Sequence, residues 1–583
     1  MSEAAVTPDR SWRSTPLLQR LAHLRLREGQ IMMALALVIG VLTGLSVVAF
    51  ILVTERLGMR LYPVGSSAWR RVLIPILGSL VAGYLLARYF PKARGSGVPQ
   101  TKAALFAREG VITLRTTLGK FLCTAITLAS GIPLGREGPS VQVGGGIASV
   151  LGRHLGLPPE RVKKLIPMGA AAAIAAAFNT PLAAVMFSLE EIVGDLHSPV
   201  MGGVVLASAS SWVTLRVLLG NDPLFKVPQY QLVHPLEFAV YAVLGIAGGL
   251  VSVAFTKLLL LTRERFLRFP AKTLWLQPVA GGLVVGLMGW FVPQVLGVGY
   301  GYVGGVLNGA MTLKLMALLV VLKLVAVTTS YGSGNAGGIF GPSLFIGAML
   351  GGVVGSIAHW LMPAHTATPG AYALVGMGAV FAGILRAPMT SVLMIFETTR
   401  DYAVIVPLMI ANLVSLFISS RLQPDTIYEV LALQDGIHLP TAETRQHSES
   451  RRVSRAMRPV TEVLPAELTV EQAIKHVASC QLRAWPVMDL RGVIGVMDLS
   501  RMQRELADGA AGKQLSELVD ARSFPHVHSD HPLVLALDRM GVSGFDALPV
   551  VSRGDIHKLE GMITLSDVLD SYAVGPRGRN ENK

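Results

Sequence analysis

Three stretches of this sequence pair glycine with proline just where an apolar run begins. They are "GSGVPQTKAAL" from Gly95, "GREGPSVQVGGG" from Gly135 and "GGIFGPSLFIG" from Gly337. Each predicts a glycine-rich loop, a proline at the first helical position, then a helix, because a missing N–H costs nothing there. Gly135 and Gly138 let the backbone approach a neighbour closely. A helix start carries unpaired N–H groups and the positive end of the dipole, which together attract an anion. One such start is ordinary punctuation. Three converging starts would hold an anion without any full positive charge, weakly enough for it to leave again.

Acidic residues lie close to these starts. Arg136 and Glu137 are adjacent, and sequence neighbours rarely face each other, so a mutual ion pair is the weaker reading. A Glu at the centre of a bilayer costs about 2.5–3.5 kcal/mol on insertion scales. It is tolerable where its carboxylate sits at helix N-termini and imitates an anion. Protonation would release that site. Glu190 and Glu191 project about 100° apart on a helix, so at most one faces a given pathway. Glu191 lies roughly 15 Å along that helix from Pro181.

The elements that must position these groups are membrane elements. Of 583 residues, 51% are hydrophobic and only 15% charged, with mean hydropathy +0.53. A soluble domain has about a quarter charged. Apolar runs near the 20 residues needed to span a bilayer begin at Ile31 and Val72, and others near Thr116, Leu165, Met201, Leu236, Leu276, Leu313, Leu344, Ala371, Thr390 and Val404. Several are interrupted by Gly and Pro, which is tolerated at membrane depth only around a protein-enclosed cavity. The net charge of +14 collects in tails and loops, as with Arg10, Arg13, Arg20, Arg25 and Arg27. That pattern is positive-inside topology, with a cytoplasmic N-terminus and no nucleic-acid partner. The N-terminal segment lacks the cleavage site of a signal peptide. Two cysteines, Cys123 and Cys480, build no disulfide framework.

The apolar region repeats internally. "GPSVQVGGGIASVLGRHL" from Gly138 resembles "GPSLFIGAMLGGVVGSIAHWL" from Gly341, and "PLAAVMFSLEE" from Pro181 resembles "PMTSVLMIFET" from Pro388. A Met-Gly pair, at Met168 and Met377, precedes the proline in each copy. Two related halves are a transporter signature, with the site between them. Near Leu439 the composition turns polar. Two further repeats follow, each reading helix, Pro-Val strand, turn, strand, helix, with Ala473 and Pro486 aligned to Ala536 and Pro549.

"GSGVP", "GREGP" and "GGIFGP" in this order, with "TIYEVL" before the polar region, resemble the CLC family of chloride channels and chloride/proton exchangers; the C-terminal repeats resemble CBS domains. The resemblance implies an α-helical polytopic membrane protein of two inverted, structurally repeated halves, with a cytoplasmic α/β CBS pair. It implies a homodimer in a cell membrane, plasma or inner, with both termini cytoplasmic and one anion pathway per subunit. The expected divisions are a tail over 1–30, a transport domain over 31–434, a linker over 435–453, CBS repeats over 454–514 and 515–576, and a tail over 577–583.

Carried over by motif, Ser96 and Tyr428 give hydroxyls to the central anion and the backbone amides of Ile339 and Phe340 complete its site. Glu137 is the gating glutamate, framed by the backbone around Arg136 and Gly138, and Glu191 is the intracellular proton-transfer glutamate. Gln100 departs from the Glu of many relatives; Ser96 argues against the nitrate-preferring and fluoride-exporting branches. The implied function is chloride/proton antiport, with a passive chloride channel on the same fold as alternative. Family channels generally carry an apolar residue where this chain has Glu191. The CBS resemblance implies that "GMITLSD" could offer Thr564 and Asp567 to the phosphate and ribose of an adenine nucleotide, whereas "GVMDLSR" places Asp498 and Arg501 there and departs; a purely structural or dimer-stabilising module is the favoured reading. The reading requires no cofactor and no metal; a membrane metalloprotease would need His-Glu-x-x-His, which the sequence lacks.

Overall fold

A computed structural model describes residues 28–62, 65–196, 198–220, 224–225, 227, 230, 232–437, 439, 451–460, 462–478, 483–520 and 524–572. The N-terminal arginines, Cys480, most of the expected linker and the 577–583 tail lie outside the described residues. The chain divides into two compact units, residues 1–439 and 440–583.

The first unit is helical. Its first half runs α1 Glu28–Leu61, α2 Ala68–Arg88, α3 Val98–Phe106, α4 Leu114–Ala129, α5 Glu137–His154, α6 Pro159–Phe178, α7 Pro181–Phe187 and α8 Met201–Leu219. The second half runs α9 Glu237–Leu267, α10 Gln277–Phe291, α11 Tyr300–Leu307, α12 Leu313–Gly332, α13 Phe340–Leu361, α14 Pro369–Leu385, α15 Pro388–Thr399 and α16 Ile405–Leu422, and α17 Ile427–Gln434 follows. Among the described residues, seven helices are long and apolar enough to cross a bilayer. Leucines, valines and aromatics face outward along them, as at Val217, Trp360 and Phe417, which is stable only against lipid or another apolar surface.

The two halves pack by the same rules. In the first, α5 meets α6 at Gly144 and Gly169, where a Cβ on Gly144 would lie 2.1 Å from the Gly169 carbonyl oxygen. In the second, α13 meets α14 at Gly347 and Gly376, with the equivalent clearance 2.4 Å. Only residues without a Cβ allow backbones this close. The halves also grip each other reciprocally. Glu190 accepts hydrogen bonds from the Met389 and Thr390 amides at the start of α15. Glu397, on α15, accepts from the Leu182 and Ala183 amides at the start of α7. Each acid neutralises the positive end of the opposite helix, and mutual exchange of this kind is what an approximate twofold between inverted repeats produces.

The prolines of the three loops sit later than expected. Pro99 is second in α3, and Pro139 and Pro342 are third in α5 and α13. These positions still belong to the first turn, whose N–H groups have no intrahelical acceptor, so proline costs little there. A second departure follows α7. Instead of a regular helix carrying both acids, Ser188–Val193 forms a π-helical turn ended by Gly194 at φ 74°. Such turns recur at functional sites.

The second unit contains α18 Val453–Ala456, β1 Leu464–Pro465, α19 Val470–Val477, β2 Ala484–Asp489, β3 Gly492–Asp498, α20 Leu499–Ala507, α21 Leu515–Leu518, α22 Leu533–Ser543, β4 Ala547–Val551, β5 Leu559–Thr564 and α23 Leu565–Ser571. Strand β2 pairs antiparallel with β3 and parallel with β1, and β4 pairs antiparallel with β5. Pro486 faces Val496, and Pro549 faces Met562. The aligned alanines Ala473 and Ala536 are both buried, each in the core of its own repeat. Ala484, Val493, Val496, Ala547, Val551 and Met562 form one apolar cluster joining the two repeats.

Candidate functional site

The three glycine loops meet. Gly135 and Gly338 exchange both main-chain hydrogen bonds, at 2.7 and 2.6 Å, so the loops before α5 and α13 lie antiparallel. A Cβ on Gly138 would fall 2.7 Å from the Ser96 carbonyl oxygen and 3.3 Å from the Gly338 Cα. One on Gly97, at φ 106°, would fall 2.3 Å from the Gly138 carbonyl oxygen. Glycine at these positions is therefore a condition for bringing α3, α5 and α13 to one point.

The expected ligand groups lie at this junction. Ser96 and Tyr428 are buried, and neither hydroxyl has a hydrogen-bond partner among the described residues. An unpaired buried hydroxyl costs free energy unless something binds it. The Ser96 amide donates to the Tyr331 hydroxyl at 3.2 Å, which fixes the loop. Ile339 is the N-cap of α13 and Phe340 its first residue, and both are buried. The Phe340 ring packs against Phe187, Phe381 and Tyr428, with centroids 5.1, 5.6 and 6.3 Å away. Phe340 thus ties the Tyr428 helix to the loop of α13. The chemistry offered is two hydroxyl donors plus helix-start amides in an apolar wall, which suits a monovalent anion.

Glu137 is fully buried as the first residue of α5. Its Oε2 accepts from the Gly341 amide at 3.3 Å, at the start of α13, and its Oε1 accepts from the Tyr300 hydroxyl. Arg136, the N-cap of α5, turns the other way and pairs with Glu55 at 3.2 Å. The carboxylate therefore sits where an anion would be favoured, and the Arg136–Glu137 pair does not form.

Glu191 is buried too, and its Oε1 lies 2.7 Å from the Nζ of Lys102 on α3. Glu190 points to the α15 amides instead, so the adjacent acids serve different directions. Gln100 caps α3, its Oε1 accepting from the Gly97 amide at 2.9 Å. Beside it, Lys92, Arg94, Arg108 and Arg263 line a cavity of about 240 Å³ that also reaches Tyr331 and Asp435. Such a basic mouth raises the local concentration of anions.

Reading the sequence did not reveal Lys102 or Tyr300. Lys102 carried a signal, a charge three residues after Pro99 in a helix start already singled out. Tyr300 carried none, since 163 residues separate it from Glu137.

The whole arrangement matches one family. The model described as voltage gated chloride channel matches residues 78–420. The chain belongs to the CLC family. A CBS domain model matches residues 516–574. A CLC relative, the H(+)/Cl(-) exchange transporter ClcA of Vibrio campbellii, is 32% identical over 366 residues, covering 62% of this chain and 78% of the relative. Among solved CLC structures, a slow cyanobacterial Cl-/H+ antiporter superposes with TM-score 0.65 at 26% identity, covering 69% of this chain and 97% of that one. A eukaryotic CLC transporter gives TM-score 0.60 at 20% identity and covers 92% of this chain and 97% of that one, which bears on the fold.

In the CBS unit, Thr564 and Asp567 cap α23 reciprocally. Asp567 accepts from the Thr564 amide at 3.0 Å, and the Thr564 hydroxyl accepts from the Asp567 amide at 3.2 Å. Asp567 also pairs with Arg458. Both line a cavity of about 750 Å³ with Arg458, Glu462, Arg483 and Ser566. In the first repeat Asp498 itself is the N-cap, accepting from the Arg501 amide at 2.9 Å.

Proposed function

We propose that this CLC protein exchanges chloride for protons across a membrane, with Glu137 as gate and Glu191 as the proton entry on the cytoplasmic side. The observation that carries the reading is the pair of buried hydroxyls of Ser96 and Tyr428, unpartnered among the described residues, beside the meeting point of three helix starts. The carboxylate of Glu137 reaches the start of one of those helices. An anion placed there would satisfy both hydroxyls and the amides of Ile339 and Phe340. Exchange rather than passive flow is supported by a second buried carboxylate, Glu191, and by the exchange activity for which similar proteins are named.

The same reading includes a homodimer in a cell membrane with cytoplasmic termini, a transport domain over 31–434, and a CBS pair over 454–514 and 515–576. The cavity bearing Thr564 and Asp567 would take an adenine nucleotide, its phosphates facing Arg458 and Arg483. Calorimetry of the full chain with ATP, ADP and AMP tests that part, and no heat at millimolar nucleotide removes it. For the transport reading, Glu137→Ala should abolish proton coupling while leaving chloride flux. Intact pH-driven chloride accumulation in that variant overturns it.

A further inference from the structure

Two lysines are fully buried in the apolar helices and form no ion pair among the described residues, Lys120 on α4 and Lys323 on α12. Lys120 donates to the carbonyls of Ala93 at 2.9 Å and Gly95 at 2.6 Å. Lys323 donates to the carbonyls of Val295 at 3.1 Å and Gly297 at 2.6 Å. The pattern is the same in both halves: one ammonium, two carbonyls two residues apart, and a helix starting three residues after the second. An ammonium is strongly held by such acceptors when water is absent, so each lysine fastens a loop in one geometry.

The fastened loops deliver different groups. The first presents Ser96, the residue after Gly95, toward the three helix starts. At the equivalent place the second has Val298, an apolar side chain, and two residues later Tyr300, the first residue of α11. Gly299, at φ 89°, makes the turn between them, and a Cβ there would lie 2.6 Å from the Phe345 ring. The Tyr300 ring is held from two sides, by the Arg136 guanidinium 5.6 Å from its centroid and by Phe225 at 5.8 Å. A Cβ on Gly341 would come within 3.0 Å of the Tyr300 hydroxyl. Glycine at that position keeps the phenol's place open, and the hydroxyl reaches Oε1 of Glu137.

We infer that Tyr300 is a latch on the gating carboxylate, a positioning residue that holds Glu137 in its closed place, and that Lys323 sets the latch by fixing the loop from which Tyr300 projects. The inference rests on the reading of Glu137 as gate. A phenol donating to a carboxylate stabilises the position in which the two meet. It must be given up whenever Glu137 swings away or is displaced by an anion. The latch thus slows opening without touching the anion. The symmetry of the fold has been used unequally: one lysine-fastened loop offers a hydroxyl to the substrate, the other offers one to the gate.

The test is a cycle of four proteins in proteoliposomes: unmodified, Tyr300→Phe, Glu137→Ala, and both together, with the initial rate of chloride efflux and the accompanying change in internal pH as readouts. A hydrogen bond to a charged group, once removed, changes the balance of states by about tenfold or more. Tyr300→Phe should therefore raise chloride turnover by about that factor when Glu137 is present, and leave it within about twofold when Glu137 is Ala. A purely structural effect would alter both backgrounds alike. If Tyr300→Phe does not yield folded protein that binds chloride, Tyr300→Leu takes its place with the same expectation. No change on removing the hydroxyl, or an equal change in both backgrounds, overturns the latch. Proton-coupled transport surviving in Glu137→Ala would instead overturn the gate, and the two failures are distinct.

Discussion

Lys102 and Glu191 form a buried ion pair, Nζ to Oε1 2.7 Å, that joins the anion-loop helix α3 to the π-helical turn after α7. The pair links the helix that follows the Ser96 loop to the acid proposed to admit protons. Removing one member of a buried pair leaves the other charge uncompensated, at about 3–5 kcal/mol, whereas replacing both by neutral groups of similar volume is far milder. Lys102→Met should lower the thermal midpoint clearly, and Lys102→Met with Glu191→Gln should recover most of that loss. Additive losses in the double variant would mean that the pair contributes only packing.

Proton entry is the second prediction. Glu191→Gln, studied together with Lys102→Met to avoid an orphan ammonium, should keep chloride flux and lose proton transport. Undiminished proton flux in the double variant would assign the relay to another residue.

The anion site gives the third. The hydroxyls of Ser96 and Tyr428 have no protein partner among the described residues, so their deletion removes only contacts to the ion. Each of Ser96→Ala and Tyr428→Phe should weaken chloride binding by about 1.5–3 kcal/mol, the value of a hydrogen bond to an ion. Unchanged calorimetric affinity in both variants would place the anion elsewhere.

The CBS unit should be acid-sensitive. His526, His528 and His531 form a chain of ring contacts at 5.2 and 4.8 Å. Burial, joined by His528 and Arg539, pushes His526 below its ordinary value of 6.5, and burial with Arg539 does the same to His531. A lowered histidine contributes stability above its unfolded value, and that contribution is lost as pH falls through 6.5 toward the folded value. The thermal midpoint of this unit should therefore drop between pH 7.5 and pH 5. His526→Asn should flatten the profile; a profile as steep as before would exclude that ring.

Much of this arrangement could be read from residue order. Glycine and proline announce a helix start locally, so the loops at Gly95, Gly135 and Gly337 were visible, and so was the repeat built on Pro181 and Pro388. Glu137 and Glu191 stood out because a carboxylate in an apolar run has to be explained. Partners were not visible. Lys102 meets Glu191 across 89 residues, and Tyr300 meets Glu137 across 163. Only the fold determines such meetings, and neither helix face nor charge pattern encodes them. The exact helix starts were missed because proline fits any position in the first turn. The π-helical turn at Ser188–Val193 was missed because its cause is tertiary: Glu190 and Glu191 are pulled to α15 and to Lys102.

Coupling is the central claim, and a chloride gradient imposed without a pH gradient tests it most directly. Proteoliposomes holding the purified chain would be given a chloride gradient at equal internal and external pH, with voltage clamped by an ionophore, and the internal pH followed. The account predicts that chloride moving down its gradient drives protons the opposite way until a pH difference builds up, and that Glu137→Ala moves chloride with no such difference. Chloride flux in the unmodified protein with the internal pH unchanged would contradict exchange and leave a passive chloride pathway.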